Sequence, residues 1–357
     1  MKRNKYGNMN NKYKKNKSLS KPLNKFKKEK KVKVLFKIKE KQRKRLFQKK
    51  RSKKSAFLFL ILKIIFFLLI IFSLNQLNSI YNAKIERRYE YKYHLLKKYN
   101  RKYNESNLVT FDDKLNWLMI HDSTKLKGKC ADKILLHKFS KFILGKDYCN
   151  KILKIYKNAN EINLTELPDK FVLKTNHGSG FNIIVTNKSL INIDKAKKML
   201  SDWMKIDYGS GGEFHYSYIK RKIFAEEFIG ETLKNYKFLC YHGKPKYVYV
   251  SIEEHGNKYR NFYDMDWNLL PFVCLSKRHP TYKYEKPKFF ELMKKMAAKL
   301  SKRFIFVRVD LYELENEVRL GELTFTPMGA YFHCQKLEDE ITLVKDIITN
   351  KRTFSII

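Results

Sequence analysis

Apolar residues are sparse over the first 55 positions, fill one unbroken stretch, AFLFLILKIIFFLLIIFSL (56–74), and then recur with the periods of ordinary helices and strands. Nineteen helical residues rise about 28 Å, close to the hydrocarbon thickness of a bilayer. Lys63 interrupts the run and costs roughly 2.5–3.5 kcal/mol at a helix centre, but it lies in the N-terminal half and its stem can carry the ammonium toward the nearer headgroups. The pattern therefore predicts a single-pass membrane helix over 56–74. A signal peptide fits less well, because its basic flank is too long and no small-residue cleavage site follows. Residues 75–105, rich in Tyr, Lys, Arg and Asn, read as a stalk. From about residue 106 the pattern is globular. Helical spacing runs through DKLNWLMIHD and ADKILLHKFSKFILG, where Leu115, Leu118 and Met119 share one face and Leu135, Phe139 and Phe142 another. Helices are also predicted over 194–206, with Asp194 as cap, and over 287–304, opening near Pro287. FVLK, NIIV and KIFAEEFI read as strands. YKFLCYHGKPKYVYVSI is a hairpin turning at His242-Gly243, and FVRVDLYELENEVRLGELTF is a second hairpin. Hairpins mixed with helices, without strict βαβ alternation, indicate an α+β fold for residues 106–357.

Charge sharpens this division. The net charge is +42, and residues 1–55 hold 25 Lys and Arg against 2 Glu. Such a segment cannot bury enough apolar surface to offset the entropy of ordering, so 1–55 is expected to be a disordered basic tail. It suits an anionic lipid surface; a compositional Lys/Asn bias explains it equally, and no specific nucleic acid is expected. Residues 41–54 carry nine Lys and Arg against four in 75–94, so charge bias places the N-terminus in the cytoplasm and the large domain across the membrane. The five cysteines are widely spaced and include no CxxC pair, which predicts reduced structural thiols rather than a zinc site or disulfide framework. Asn-x-Ser/Thr triplets stand at Asn104, Asn163 and Asn187 and acquire meaning only in a secretory compartment.

The last hairpin carries the first candidate chemistry. A three-residue loop at Glu315-Asn316-Glu317 sets Leu314 opposite Val318, and hence Asp310 opposite Glu322 and Arg308 opposite Thr324. Directly opposed carboxylates repel across about 4.5–5.5 Å and need a counter-charge. Mg²⁺ held with substrate phosphates is one, and neighbouring Arg308 and lysines on a solvated face are another. The second candidate is FVLKTNHGSGFNIIV (171–185). There Lys174 ends a strand and points at a loop whose glycines leave backbone N–H groups free to approach phosphate, although an ordinary turn has the same look. It is neither a Walker A nor a dinucleotide-binding pattern.

LPDKFVLKTNHGSGFNIIV, KIFAEEFI, YKFLCYHGKPKYV and FVRVDLYELENEVRLGELTFTPMG, together with KLNWLMIHD and ADK, resemble in content and order the TupA-like ATP-grasp family, from about Phe111 to the C-terminus. The resemblance implies an ATP-grasp fold in which two α+β subdomains hold Mg-ATP between antiparallel sheets. It places Lys174 on the ATP phosphates, with His177, Gly178, Ser179 and Gly180 in the mobile loop over them. Glu226 and Glu227 fall on the strand to the adenine hinge, with Phe228 and Ile229 near the base. Asp310 and Glu322 fall on the Mg²⁺ ligands. Thr324 stands where many ATP-grasp enzymes have Asn, and Asn235 stands where an acid usually meets the ribose. Lys237 and Arg308 become candidates for a substrate carboxylate or the γ-phosphate. The implied chemistry is ATP-dependent activation of a carboxylate as an acyl phosphate and attack by an amine, in cell-surface polysaccharide or teichuronopeptide biosynthesis. A sugar-acid or amino-acid substrate follows. The competing reading is a single-pass glycosyltransferase, for which Asp264-Met265-Asp266 supplies an Asp-x-Asp tripeptide. A third is a non-enzymatic basic membrane protein acting through its tail.

Overall fold

The computed structural model describes residues 22–98, 103–230, 234–254, 256–278 and 284–347. Two compact units emerge, Met1–Tyr81 and Asn82–Ile357. Helix α1 (Pro22–Lys98), most of which belongs to the first, contains the apolar run and is, among the described residues, the one helix long and apolar enough to cross a membrane. The basic stretch expected to be disordered is helical from Pro22 onward; residues 1–21 lie outside the described residues. Two local reasons account for the helix. Proline is well placed at a first helical position, and no glycine or further proline interrupts the Lys-, Arg- and Leu-rich sequence up to Lys98.

The second unit begins inside that same helix, which corrects the expected boundary at 106. Arg88, Lys92 and Leu96 are buried, and Arg88 donates to the carbonyls of Ile120 (3.2 Å) and Ser123 (2.9 Å). These carbonyls lie at and beyond the end of α2 (Phe111–His121), where helical partners run out. Residues 82–98 are thus part of the folded unit rather than a separate stalk.

Two antiparallel sheets build this unit. The smaller has the order β1-β4-β2-β3, from Ile152–Tyr156, Ile223–Glu227, Phe171–Thr175 and Asn182–Val185. The larger has the order β7-β6-β5-β8-β9, from Asn257–Tyr263, Lys244–Glu254, Asn235–Tyr241, Phe306–Glu313 and Val318–Thr324. Strand alternation gives each sheet one apolar face. Phe171, Leu173, Ile223 and Ala225 pack with Leu200 of α5 (Ile193–Lys205). Phe238, Val307 and Val309 pack with Phe290, Met293, Ala297 and Leu300 of α6 (Phe290–Ser301). A third cluster joins α2 to α7 (Leu337–Val344) through Phe111, Leu115, Leu343 and Val344.

Several boundaries differ from the expectation. Asn192, not Asp194, caps α5, its side chain accepting from the Lys195 N–H at 3.0 Å. Thr124 caps an additional helix, α3 (Lys125–Ala131), and Asp132 turns the chain before α4 (Leu136–Leu144). Cys274 and Cys334 form a disulfide, contrary to the expectation of five reduced thiols; Cys130, Cys149 and Cys240 are free and buried. The two bonded cysteines are 60 residues apart in sequence and meet as an isolated antiparallel bridge between loops, a juxtaposition that spacing along the chain does not announce.

Candidate active site

Three strands of the larger sheet align one polar face. Lys237 pairs with Asp310 across β5–β8, and Asp310 pairs with Glu322 across β8–β9, so the three form one row. Arg308 lies opposite Thr324 in the next row on the same face. The predicted juxtaposition is present, but the chain reaches it by another route. Glu313 faces Val318 around a turn closed by Leu314 N–H to Glu317 O (2.8 Å), one residue out of the expected register. A bulge between Asp310 and Leu311 restores the register. Gly321 sits there because a Cβ would lie 2.6 Å from Tyr312 Cε2.

Arg308 is the counter-charge. Its guanidinium donates to both oxygens of Asp310 (2.6 and 2.7 Å), to Glu322 Oε1 (2.8 Å) and to Thr324 Oγ1 (3.0 Å). Lys237 donates to Asp310 as well. The face is buried at Asp310, which is 1% exposed, and half-buried at Glu322 and Thr324. Burial pushes the Glu322 carboxyl up, but Arg308, Lys133 and Lys237 outweigh it and hold it down at about 2. Of the two counter-charges expected for the opposed carboxylates, the cationic one is thus in place. Mg²⁺ fits the donor set: Asp310, Glu322 and Thr324 offer hard oxygens on one face, of the kind this ion uses together with phosphate oxygens. Arg308 already bridges the two carboxylates, so the ion would share them with the guanidinium.

The smaller sheet presents its own polar face. Val172 pairs with Glu226 and with Ile184, and Lys174 pairs with Asn182, which puts all five on one side. Lys174 forms an ion pair with Glu226. These residues line a cavity of about 290 Å³ together with Glu227, Phe228 and Ile229, and with Asn235, Tyr312 and Gly321 of the larger sheet. The structure thus gathers Lys174 and the whole 226–229 segment around one space between the two sheets. Two buried acceptor oxygens on its walls, Asn150 Oδ1 and Asn235 Oδ1, have no hydrogen-bond partner. A buried unsatisfied acceptor is costly, and a ligand N–H or O–H relieves it. Asn235, where the resemblance leads one to expect an acid, thus presents a bare acceptor at the cavity without a charge.

The glycine loop lies beside this cavity. Gly178 has φ +75°, and a Cβ there would come within 2.7 Å of Tyr208 and 2.8 Å of Phe181, so only glycine fits. Ser179 and Gly180 are exposed at the tip. His177 is buried against Phe181 and is not among the cavity walls; burial, aided by Arg221, pushes its imidazole down to about 4 and keeps it neutral.

Two residues were not singled out from the sequence. Asn150 precedes β1, and no pattern around it marks a site. Lys133, in ADK, donates to the Gly178 carbonyl at 2.6 Å. Asp132 fixes that turn, accepting from the N–H groups of Ile134 and Leu135 and from Asn176 Nδ2 (2.9 to 3.2 Å). Burial lowers the Lys133 pKa while Glu322 raises it, and Lys174 and Glu226 act on it too, so its ammonium lies within the field of both polar faces. The Asp-x-Asp tripeptide, in contrast, is a turn. Asp264 accepts from the N–H groups of Asp266 (2.9 Å) and Asn268 (2.8 Å) and from Asn268 Nδ2 (2.9 Å).

No curated protein matches the chain. Among solved structures, the chain is similar to the D-alanine–D-alanine ligase of Bacillus anthracis crystallised with ATP, at 16% identity and a TM-score of 0.33, covering 55% of this chain and 53% of that one. It is similar also to the Helicobacter pylori D-alanine–D-alanine ligase (17% identity, TM-score 0.35, 62% and 60% covered) and to the L-amino acid ligase of Bacillus licheniformis (13%, 0.34, 56% and 44%). The chain spans roughly half the length of these proteins. The assignment rests instead on the match of the TupA-like ATPgrasp family over residues 113–343, well over half of the sequence. The chain belongs to the TupA-like ATP-grasp family.

Proposed function

We propose that this chain is a membrane-anchored ATP-grasp ligase that joins a carboxylate to an amine, with a sugar acid or an amino acid as the activated substrate, in cell-surface polysaccharide biosynthesis. The observation that carries the reading is the meeting of two polar sheet faces. A lysine and orphan acceptors surround one cavity, and Lys133 links it electrostatically to the Lys237–Asp310–Glu322 row. ATP occupies the cavity as a substrate, its base near Phe228 and Ile229 and its ribose hydroxyls against Asn235. Lys174, Lys133 and the loop N–H groups take the phosphates. Such transfers depend mainly on positioning and charge stabilisation. Arg308 and Lys237 orient the acceptor carboxylate. Its oxygen attacks the γ-phosphorus, ADP leaves, and an amine then displaces phosphate from the acyl phosphate with loss of a proton. Mg²⁺ bound at Asp310 and Glu322 supplies charge neutralisation for the phosphates. No side chain needs to act as a nucleophile.

The test is ADP release by the full chain in detergent with Mg²⁺, screened against amino acids and uronic acids with amine acceptors. Turnover that appears with one such pair and vanishes in both Asp310→Asn and Glu322→Gln supports the reading. Turnover retained in both variants overturns it.

A further inference from the structure

Three features left unused by the ligase chemistry converge on one conclusion about where the folded domain resides. The first is the Cys274–Cys334 disulfide. Disulfides persist in oxidising compartments and are rare in the cytosol, where thiol buffers keep such pairs reduced. The second is the condition of the three Asn-x-Ser/Thr triplets that follow the apolar run. Asn104, Asn163 and Asn187 are all exposed. Each holds the same local geometry, its amide oxygen accepting from the N–H two residues on: Ser106 at 3.0 Å, Thr165 at 3.1 Å and Ser189 at 2.9 Å. At Asn163 and Asn187 the triplet's hydroxyl also donates to that oxygen, at 2.9 and 2.7 Å. The buried asparagines Asn116, Asn150, Asn176 and Asn261 belong to no such triplet. The third is the charge step across the apolar run, nine Lys and Arg in residues 41–54 before it against four in residues 75–94 after it.

We propose that the domain from Asn82 onward faces the oxidising lumen of a secretory pathway, where Cys274 and Cys334 are joined and Asn104, Asn163 and Asn187 are N-glycosylated. In the modification, the Asn Nδ2 attacks the anomeric carbon of a lipid-diphosphate-linked oligosaccharide supplied by the host; the C–O bond to the lipid diphosphate breaks and the amide loses one proton. The disulfide forms by exchange with an oxidised dithiol carrier, which takes up the two electrons and two protons. Of the oxidising compartments, a secretory lumen contains ATP, so this placement is compatible with the ligase reading without depending on it.

The sequence contains its own control. A fourth triplet, Asn16-Lys17-Ser18, precedes the apolar run, so it lies on the opposite side of the membrane from the other three. The full chain is expressed in a cell that N-glycosylates secretory proteins, and its gel mobility is compared with and without peptide N-glycosidase. Cysteines are alkylated before and after reduction and mapped by mass spectrometry. The expected result is a glycosidase-sensitive shift that loses one step with each of Asn104→Gln, Asn163→Gln and Asn187→Gln and is unchanged in Asn16→Gln, with Cys274 and Cys334 alkylated only after reduction. An unshifted chain, a shift abolished by Asn16→Gln alone, or Cys274 and Cys334 alkylated without reduction overturns the proposal. None of these readouts requires ligase activity, so their failure is distinguishable from failure of the functional reading.

Discussion

The two polar faces that meet at the cavity are built in opposite ways. On the smaller sheet, Lys174 pairs with Glu226, and the lysine is 23% exposed beside a loop whose tip is open to solvent. On the larger sheet, Arg308 holds Asp310, Glu322 and Thr324 together, Lys237 adds a second cation, and Tyr249 closes the network with a 3.3 Å hydrogen bond. The first face holds its part-exposed lysine through a single ion pair, to the buried Glu226. The second is pre-organised, and every member has partners that depend on it. A nucleotide site divided this way adapts on the side that must open and close, and stays fixed on the side that must position reacting groups.

This contrast is broken most severely at Asp310. Removing one member of a buried ion pair typically costs about 3–5 kcal/mol. Asp310→Asn should therefore lower the unfolding temperature clearly and abolish turnover, whereas Lys174→Ala, which removes a single ion pair from the buried Glu226 rather than breaking a network, should lower it by less. Two opposed carboxylates without a counter-charge would give the reverse sign, a variant stabilised by losing one of them; the Arg308 contacts to both are the reason for expecting a loss. Equal thermal shifts in the two variants would show that the faces do not differ in rigidity.

Gly178 comes next. In Gly178→Ala the new methyl group meets Tyr208 and Phe181 while φ remains positive, so the loop must move and Lys133 loses its carbonyl partner. ATP affinity should fall by about tenfold or more, equivalent to about 1.4 kcal/mol, with far-ultraviolet circular dichroism unchanged. Unaltered ATP affinity would detach the loop from the nucleotide.

The smallest effect sharpens the comparison through pH. Glu213 lies outside both faces; burial raises its carboxyl to about 7 against the ordinary 4.5, opposed by the Thr326 hydroxyl and Lys92. A folded-state pKa raised above the unfolded one gives stability that is present below pH 4.5 and lost as pH rises toward 7. Glu322 has the opposite sign, contributing above pH 4.5 and losing its contribution as pH falls toward 2. Glu213→Gln should flatten the fall in stability between pH 4.5 and 7 and leave the acid limb alone. Thermal unfolding across pH 2 to 8 reads both limbs, and an unchanged neutral limb would remove Glu213 as its source.

Much of this was legible in the sequence, for reasons tied to particular residues. Strand alternation puts Arg308 with Asp310 on one face of RVDLY and Glu322 with Thr324 on one face of GELTF, and the register of the hairpin decides that the two pairs share a face. The expected three-residue loop was nonetheless wrong at its tip, and the register at Asp310 came out right only because the bulge at Gly321 offsets the longer turn. Bulges depend on what packs above them, here Tyr312, and a hairpin pattern does not contain that information. Lys133 and Asn150 escaped notice because their roles come from tertiary placement: one reaches a carbonyl 45 residues away, and the other has an acceptor left bare by folding. The end of α1 looked like a stalk because Arg88 and Lys92 are cations, and only the carbonyls beyond α2 explain why a guanidinium is buried there.

The central claim is that ATP binds between the two sheets with its phosphates on Lys174. Calorimetric titration of Mg-ATP into the full chain, wild type and Lys174→Ala, tests it most directly. The account predicts saturable one-site binding to the wild type and an affinity about tenfold or more weaker in the variant, since losing a charge-assisted hydrogen bond costs about 1.5–3 kcal/mol. Equal affinities, or no binding to the wild type, would contradict it.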